Sequence, residues 1–316
     1  MTTAVEIVSM GELLIDFVAL ESGVTVGEAS GFEKAPGGAP ANVAVAVARL
    51  GYESAFLTMV GDDPFGHFLR DILDAEGVDV RGLRMNKDAR TMLAFVSLGA
   101  DGERSFVFYR HPSADMQMTP DDIATEVIDT GRIFHFGSIT MISEPAKSAT
   151  LKAVQYAREK GLTISYDPNL RRDLWPSDEA AKAGLLAGLD YAHIVKVSDE
   201  ELVYLTGADD PAALWRDDLR VIVVTHGSNG STAYTRDGKV TVGGFSVEPV
   251  DTTGAGDGFV AGLLTGILAH PDDYTAKLGD ILKRANAVGA LTTTNRGAIP
   301  ALPTSDQVDM FLEMQA

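Results

Sequence analysis

Short apolar runs alternate with stretches whose apolar positions recur every three or four residues, almost from end to end. The runs read as buried strands: Val5–Met10, Ser54–Val60, Arg132–Phe136, Thr163–Asp167, Tyr191–Val197 and Val221–Thr225. The periodic stretches read as helices: Asn42–Leu50, His67–Glu76, Glu144–Lys160, Asp178–Leu189, Asp199–Thr206, Gly258–Ala269, Lys277–Leu291 and Ser305–Met314. Gly51, Gly77 and Gly161 stop three of them. Such alternation predicts a largely parallel sheet covered by helices.

Two stretches break the rhythm. Leu13–Lys34 holds strand-like pieces, Leu13–Ala19 and Ala29–Lys34, with no helix between them. Thr91–Leu98 and Ser105–Tyr109 read as strands joined through the turn Asp101-Gly102. These pieces form either a small sheet that projects over a site as a lid or a plain extension of the main sheet. A second turn, Asp237-Gly238, pairs Ser231–Thr235 with Lys239–Phe245 at a sheet edge.

Composition narrows the chemistry. The 316 residues carry 26 Lys and Arg against 45 Asp and Glu, a net charge of −19. That argues against nucleic acid and anionic membranes as partners, since both are anions. The acid excess reads as solubility charge ahead of adaptation to high salt. Cysteine is absent, which excludes disulfides, thiol catalysis and Cys-ligated metals. No uncharged apolar stretch reaches the roughly 18 residues of a membrane helix. The start, Met1-Thr2-Thr3-Ala4-Val5-Glu6, lacks the basic stretch of a signal peptide, so a cytoplasmic place is expected. The histidines at 67, 111, 135, 193, 226 and 270 are scattered and read as structural or surface groups, and Met116 and Met118 as packing.

Two Gly-rich stretches carry candidate chemistry. Asp251-Thr252-Thr253-Gly254-Ala255-Gly256-Asp257 opens an amphipathic helix. Free N–H groups at a helix start attract an anion, and glycines let the backbone approach a phosphate. Asp257 is placed to accept a hydroxyl proton there, or simply to cap the helix. A Rossmann fingerprint counted from Gly254 needs glycine where Phe259 stands, and no Gly-Lys-Ser/Thr triplet supports a P-loop. Earlier, Gly37-Gly38-Ala39-Pro40-Ala41-Asn42 leads into the first helix, where Asn42 serves either a sugar hydroxyl or the helix cap.

Together these motifs resemble those of the ribokinase/PfkB family of carbohydrate kinases. The likeness runs over nearly the whole chain, through Gly61-Asp62-Asp63-Pro64-Phe65-Gly66, Asp167-Pro168-Asn169-Leu170-Arg171 and Asn295-Arg296-Gly297-Ala298. Gly11-Glu12-Leu13-Leu14-Ile15-Asp16, Gly38-Ala39-Pro40-Ala41-Asn42 and Arg110-His111-Pro112-Ser113-Ala114-Asp115-Met116 are most similar to bacterial fructokinases. The resemblance implies an α/β fold: a doubly wound, mostly parallel sheet with helices on both faces, plus a small β-sheet lid. The body would comprise 1–11, 36–89 and 113–316, and the lid 12–35 and 90–112.

The resemblance also implies transfer of the ATP γ-phosphoryl group to a sugar primary hydroxyl, with D-fructose giving D-fructose 6-phosphate as the first expectation. The enzymatic alternative is a 2-keto-3-deoxygluconate kinase or another sugar or nucleoside kinase of the family. The alternative of another class is a sugar- or nucleotide-binding regulator without catalysis, against which the intact Gly254–Asp257 stretch argues. Asp257 would be the base, held ionised by the helix start, and Gly254, Ala255 and Gly256 the anion hole. Asp16, Gly38 and Asn42 would bind the sugar. Arg110 and Arg171 would supply positive charge near sugar or phosphates.

Glu201 matches the acid of the family's Asn-x-x-Glu motif, which helps order magnesium. Ser198 departs from that Asn, and Ser198-x-x-Glu201 is equally a capping box. Magnesium itself would be held mainly by ATP phosphates and water. Thr225, Gly227, Ser228 and Gly230 match the nucleotide loop, and Asn286 a position beside the adenine. A potassium ion would lie among Asp251, Thr253, Thr292, Asn295 and Gly297, with Ala301 standing where some relatives have serine. A homodimer through the lids is the expected assembly.

Overall fold

The computed structural model describes residues 4–99 and 104–315. Strands β1 (Ile7–Met10), β2 (Leu14–Ala19) and β3 (Phe32–Gly37) precede helix α1 (Ala39–Arg49). Next come β4 (Ser54–Gly61), α2 (Pro64–Ala75), the short β5 (Val78–Asp79) and β6 (Leu83–Asn86), then β7 (Met92–Leu98) and β8 (Arg104–Tyr109). Alternation follows: α3 (Thr125–Ile128), β9 (Ile133–Gly137), α4 (Ala146–Glu159), β10 (Thr163–Asp167), α5 (Asp178–Leu189), β11 (Ile194–Ser198), α6 (Asp199–Thr206) and β12 (Val221–Thr225). A hairpin, β13 (Ser231–Tyr234) and β14 (Lys239–Val242), leads to α7 (Ala255–Ala269), α8 (Leu278–Thr292) and α9 (Ser305–Met314).

The main sheet runs β14-β13-β12-β11-β10-β9-β1-β4-β5, with β6 also on β4. From β12 to β5 all pairings are parallel, and the Asp237-Gly238 hairpin forms the antiparallel edge. Side chains alternate between two cores. Ile7 and Phe56 join one, with α1, α7 and α8, while Val8, Met10 and Leu57 join the other, with α4 and α5. The chain winds from β1 to β4 on one side, then from β9 outward on the other. The strand order therefore reverses at the β1/β9 boundary. In open α/β sheets ligands bind beyond the strand carboxyl ends at such a reversal.

The second sheet, β3-β2-β7-β8, is separate and four-stranded, so the edge-extension alternative is overturned. The turn Asp101-Gly102 lies outside the described residues. Asp16, Val18, Val96 and Phe106 face a cleft under this sheet. Phe17 and Phe95, on the opposite face, stack with centroids 5.0 Å apart. The period of two thus decides which residues face the cleft.

Several boundaries differ from the sequence reading. α2 starts at Pro64, three residues early, because Asp63 caps it: one carboxylate oxygen accepts from the Phe65 and Gly66 amides at 3.0 and 2.9 Å. α1 begins at Ala39 after Gly38, so Asn42 lies inside the first turn and the cap reading of Asn42 is overturned. β5, β6 and α3 were not anticipated, being too short to show a period. α7 packs tightly on α8 through Gly258, Gly262 and Gly266. A Cβ at Gly262 would lie 2.8 Å from the Ala285 Cα, so the glycines allow the two helices to approach this closely.

Candidate active site

α1 and α7 carry the two Gly-rich motifs to one place. Asn42 Nδ2 donates to Asp257 Oδ2 at 2.7 Å, although 215 residues separate them. Asn42 Oδ1 is buried with no partner among the described residues, which leaves an acceptor for a ligand hydroxyl. Gly38 adopts φ 118, and a Cβ there would meet the Glu12 carbonyl at 2.3 Å, so only glycine fits. Gly254 takes the left-handed conformation that turns the chain into α7, whose first amides face outward. The Ala255 N–H reaches the Thr252 carbonyl at 3.3 Å.

A small hollow at the strand reversal is lined by Glu12, Ala39, His135, Ser138, Asp167 and Asp257 among others. The larger cleft under the second sheet, about 1850 Å³ including its open mouth, is walled by Asp16, Lys34, Asp251, Thr253 and Gly297. Asp16 and the Asp251–Thr253 part of the late motif therefore wall the same cleft, while Asp257 lines the hollow.

Asp257 is 8% exposed. Burial pushes its carboxyl up to about 6; the Asn42 amide opposes the rise, Asp167 adds to it, and Lys196 and Arg171 oppose it. Desolvation is the largest influence on this carboxyl, so the ionised form expected at the helix start is held only above about 6. At neutral pH the carboxylate still predominates. An acceptor of the hydroxyl proton must be ionised, so kcat/KM should fall as pH drops through about 6 and level off above it. Asn42→Ala removes a bond to the ionised form and should move this acid limb to higher pH, which a pH–rate profile of both proteins checks.

Three charged residues here have no site role in the sequence analysis, although Glu12 and Asp167 stand in its motifs. Glu12 is buried and accepts from the Ala39 N–H at 2.9 Å. Burial lifts its carboxyl to about 7 against that bond and the charge of Arg171. Asp167, at the end of β10, accepts from Lys196 Nζ at 3.1 Å and from the Asn169 N–H at 3.1 Å. Burial works against the Lys196 ammonium, yet Asp167, Glu201 and Asp257 outweigh it and hold its pKa above the usual lysine range. The signal was available: Glu12 and Lys196 are lone charges inside apolar runs. His135, another wall of the hollow, is held neutral: burial, with help from Lys196, pushes its pKa down to about 3.

Arg110 is a correction. It is 1% exposed and lies in the interior, where Nε donates to Asp115 Oδ2 at 3.0 Å and Nη2 to the Ile139 carbonyl at 3.1 Å. A guanidinium this buried needs its carboxylate, so it fastens two loops instead of serving as a free cation for ligand. Arg171 is half-buried, and its charge is felt by both Glu12 and Asp257.

Ser198 and Glu201 form the capping box of α6. Glu201 Oε1 also accepts from the Leu170 N–H at 2.7 Å, tying the Asp167–Arg171 loop to α6. Thr225 is the register partner of Ser198 at the strand ends, and Gly227–Asn229 form a tight turn behind it, closed by Gly230. Asn286 is buried. It accepts from the Ser231 hydroxyl at 2.9 Å and donates to the Val242 and Gly243 carbonyls, bracing the hairpin against α8.

The late motif meets the C-terminal loop through Asp251. One carboxylate oxygen accepts from the Thr253 amide and hydroxyl at 2.9 and 2.7 Å, the other from the Gly297 amide at 2.9 Å. Thr292 turns its hydroxyl into α8, onto the Val288 carbonyl, and Asn295 lies in the same loop.

Known proteins match this arrangement. The profile of the pfkB family carbohydrate kinase matches residues 4–305. Fructokinase-2 of Solanum lycopersicum is 53% identical over 317 residues, covering 97% of this chain and 96% of its own. Probable fructokinase-2 of Arabidopsis thaliana is 52% identical over 319 residues, covering 98% and 96%. The structure of the fructokinase from Xylella fastidiosa with bound ATP superposes with a TM-score of 0.90 at 37% identity, over 98% of both chains. A double mutant of the fructokinase from Vibrio cholerae O395 with fructose, ADP and potassium ion bound gives 0.87 at 37% identity, over 99% of this chain and 100% of its own.

Proposed function

This chain belongs to the pfkB family of carbohydrate kinases, and we propose that its reaction is the ATP-dependent phosphorylation of D-fructose to D-fructose 6-phosphate. One observation carries the site: the carboxylate at the start of α7 lies 2.7 Å from the Asn42 amide. Base, anion-binding amides and sugar-binding groups therefore converge. The relatives at about half identity are fructokinases over nearly their full length, which supports fructose as the acceptor.

In this reading Asp16, Gly38 and Asn42 hold the sugar, with the primary hydroxyl toward Asp257. The hydroxyl oxygen bonds to the γ-phosphorus as the bridge to the β-phosphate breaks. The proton passes to Asp257 and ADP leaves. The transition state spreads charge over the phosphoryl oxygens, where the Gly254–Gly256 amides stabilise it. Because that state is loose, the proton leaves late and a carboxylate of ordinary strength suffices. Ser198, Thr225, Gly227, Ser228, Gly230 and Asn286 would line the nucleotide. Magnesium on the ATP phosphates would neutralise charge, with Glu201 ordering its waters.

An acidic sugar would want a further cation, and Arg110, one of the two arginines expected to supply it, is committed to Asp115. The test is ADP release with fructose, ribose, 2-keto-3-deoxygluconate, glucose and nucleosides. The largest kcat/KM should belong to fructose; a larger value for any other acceptor refutes the assignment.

The four-stranded sheet is the lid in this proposal, and Val107 and Tyr109, exposed on its face away from the cleft, offer apolar surface to a second copy. Saturating fructose and nucleotide should slow amide exchange in β2, β3 and β7. Unchanged exchange there would remove the lid role. Potassium belongs to the same proposal. Asp251, Thr253 and Gly297 already meet, and the Thr292 hydroxyl turns away, so carbonyl oxygens would supply the ligands. Such an ion would orient the Gly254–Gly256 amides, so kcat should be modestly higher in potassium than in sodium or tetramethylammonium chloride. Constant ionic strength is needed, because a chain of charge −19 responds to salt generally.

A further inference from the structure

Lys196 sits in the middle of β11, between Val195 and Val197, both fully buried. A lysine inside a buried parallel strand is costly unless its charge is used. Its ammonium donates to Asp167 Oδ2 at 3.1 Å, and Asp167 is itself held by the Asn169 amide. An ammonium has three N–H groups, and Asp167 takes one. The backbone at the start of α7 is the other neighbour: a Cβ at Gly256 would stand 3.3 Å from Lys196 Nζ. The missing side chain at Gly256 leaves the ammonium open to the amides that cradle the phosphate, one residue before Asp257.

We infer that Lys196 is a catalytic residue of the phosphoryl transfer, donating to the non-bridging γ-phosphoryl oxygens beside the Gly256 amide, with Asp167 as its positioning carboxylate. The inference rests on the reading of Asp257 and the α7 start as the phosphoryl-transfer site. Lys196 stays protonated throughout. The phosphorus–oxygen exchange and the proton transfer to Asp257 are as described above, and the ammonium only meets charge that grows on the transferring group. Magnesium travels with the nucleotide, whereas this cation is fixed in the sheet, so it needs no reorganisation at the moment of transfer. In so acidic a chain, a buried cation is also what lets an ATP tail approach three carboxylates, Glu12, Asp167 and Asp257.

A merely structural role, tying β11 to β10, makes different predictions. Lys196→Met preserves length and apolar packing, and Lys196→Ala opens a space at the site. Both should lower kcat by about 10²-fold or more, with KM for fructose within about threefold of wild type. Ethylammonium chloride should restore Lys196→Ala at least about tenfold with saturation, by placing a cation in the vacated space. Tetramethylammonium chloride at equal ionic strength and fixed potassium should restore nothing, since it cannot donate. Melting temperature and circular dichroism report folding of each variant. If Lys196→Met folds and turns over within threefold of wild type, the inference is overturned. It is equally overturned if turnover is lost but no primary ammonium restores Lys196→Ala. If Lys196→Ala does not fold, the kcat of Lys196→Met alone decides, at the same limit. Asp257→Asn in the same assay separates the two readings: an active Asp257→Asn removes the site itself, whereas an inactive one beside an active Lys196→Met removes only the role of Lys196.

Discussion

Asp257→Asn should lower kcat by roughly 10²–10⁴-fold while nucleotide binding persists. Asparagine keeps the shape and can still meet Asn42 after an amide flip, so the loss isolates the proton acceptor. The same variant should be more stable than wild type at neutral pH. Burial raises the folded-state carboxyl from its ordinary 3.8 to about 6. The folded protein therefore binds more protons than the unfolded chain between those values. Stability falls as pH rises through that window, and the cost of the buried charge is fully present above about 6. Removing the charge should raise Tm by a few degrees at pH 7–8, at about 2–4 °C per kcal/mol for a chain of this size or somewhat smaller. The gain should fade toward pH 4. Thermal melts of both proteins across that range check the sign. A variant that is both active and no more stable would mean that Asp257 is neither the base nor a costly buried charge; it is not the cap of α7, which is Gly254.

Asp16→Ala should be nearly as damaging, and only for the sugar. Asp16 stands on the cleft face of β2, level with Ala35 and Ala94 in the neighbouring strands. Its Oδ2 lies across Gly37, where a Cβ would come within 2.2 Å. A carboxylate there can accept from two adjacent hydroxyls. At about 1.5–3 kcal/mol for each bond to a charged group, kcat/KM for fructose should fall by roughly 10²–10⁴-fold. ATP affinity, measured by calorimetry without sugar, should stay within about threefold, because the nucleotide meets other elements. Asp16→Asn, which retains one acceptor, should fall between. Unchanged fructose kinetics in Asp16→Ala would make it a lid residue without contact to substrate.

Much of the fold could be read along the chain because each buried strand is a short apolar run set off by helical periodicity. Thr163–Asp167, Asp178–Leu189 and Val221–Thr225 have the bounds their patterns predict. β5 and β6 are too short to carry a period and owe their pairing to the edge of β4. Asn42 was ambiguous for a physical reason. Asparagine caps helices well, and only the fold reveals that Gly38 and Pro40 had already begun α1. The Asn42–Asp257 contact joins residues too far apart for any local signal. Desolvation was the harder loss. The same Gly-rich loop suits an exposed cap or a buried base, and burial decides the carboxyl's behaviour. Arg110 was misjudged likewise: its charge was visible in the sequence, its partner Asp115 only in the packing. Lys196 and Glu12 were legible as charges in apolar company, and their pairing across strands turns that oddity into chemistry.

Transfer of the γ-phosphoryl group of ATP to the primary hydroxyl of fructose, with Asp257 as base, should leave its mark in the product. Phosphorus-31 and carbon-13 NMR of a reaction containing carbon-labelled fructose, ATP and magnesium tests it most directly. Wild type should give one phosphomonoester, with carbon–phosphorus coupling at C6, in step with ADP, and Asp257→Asn should give almost none in the same time. Phosphate on C1, ADP without sugar phosphate, or an equal yield from Asp257→Asn would contradict the account.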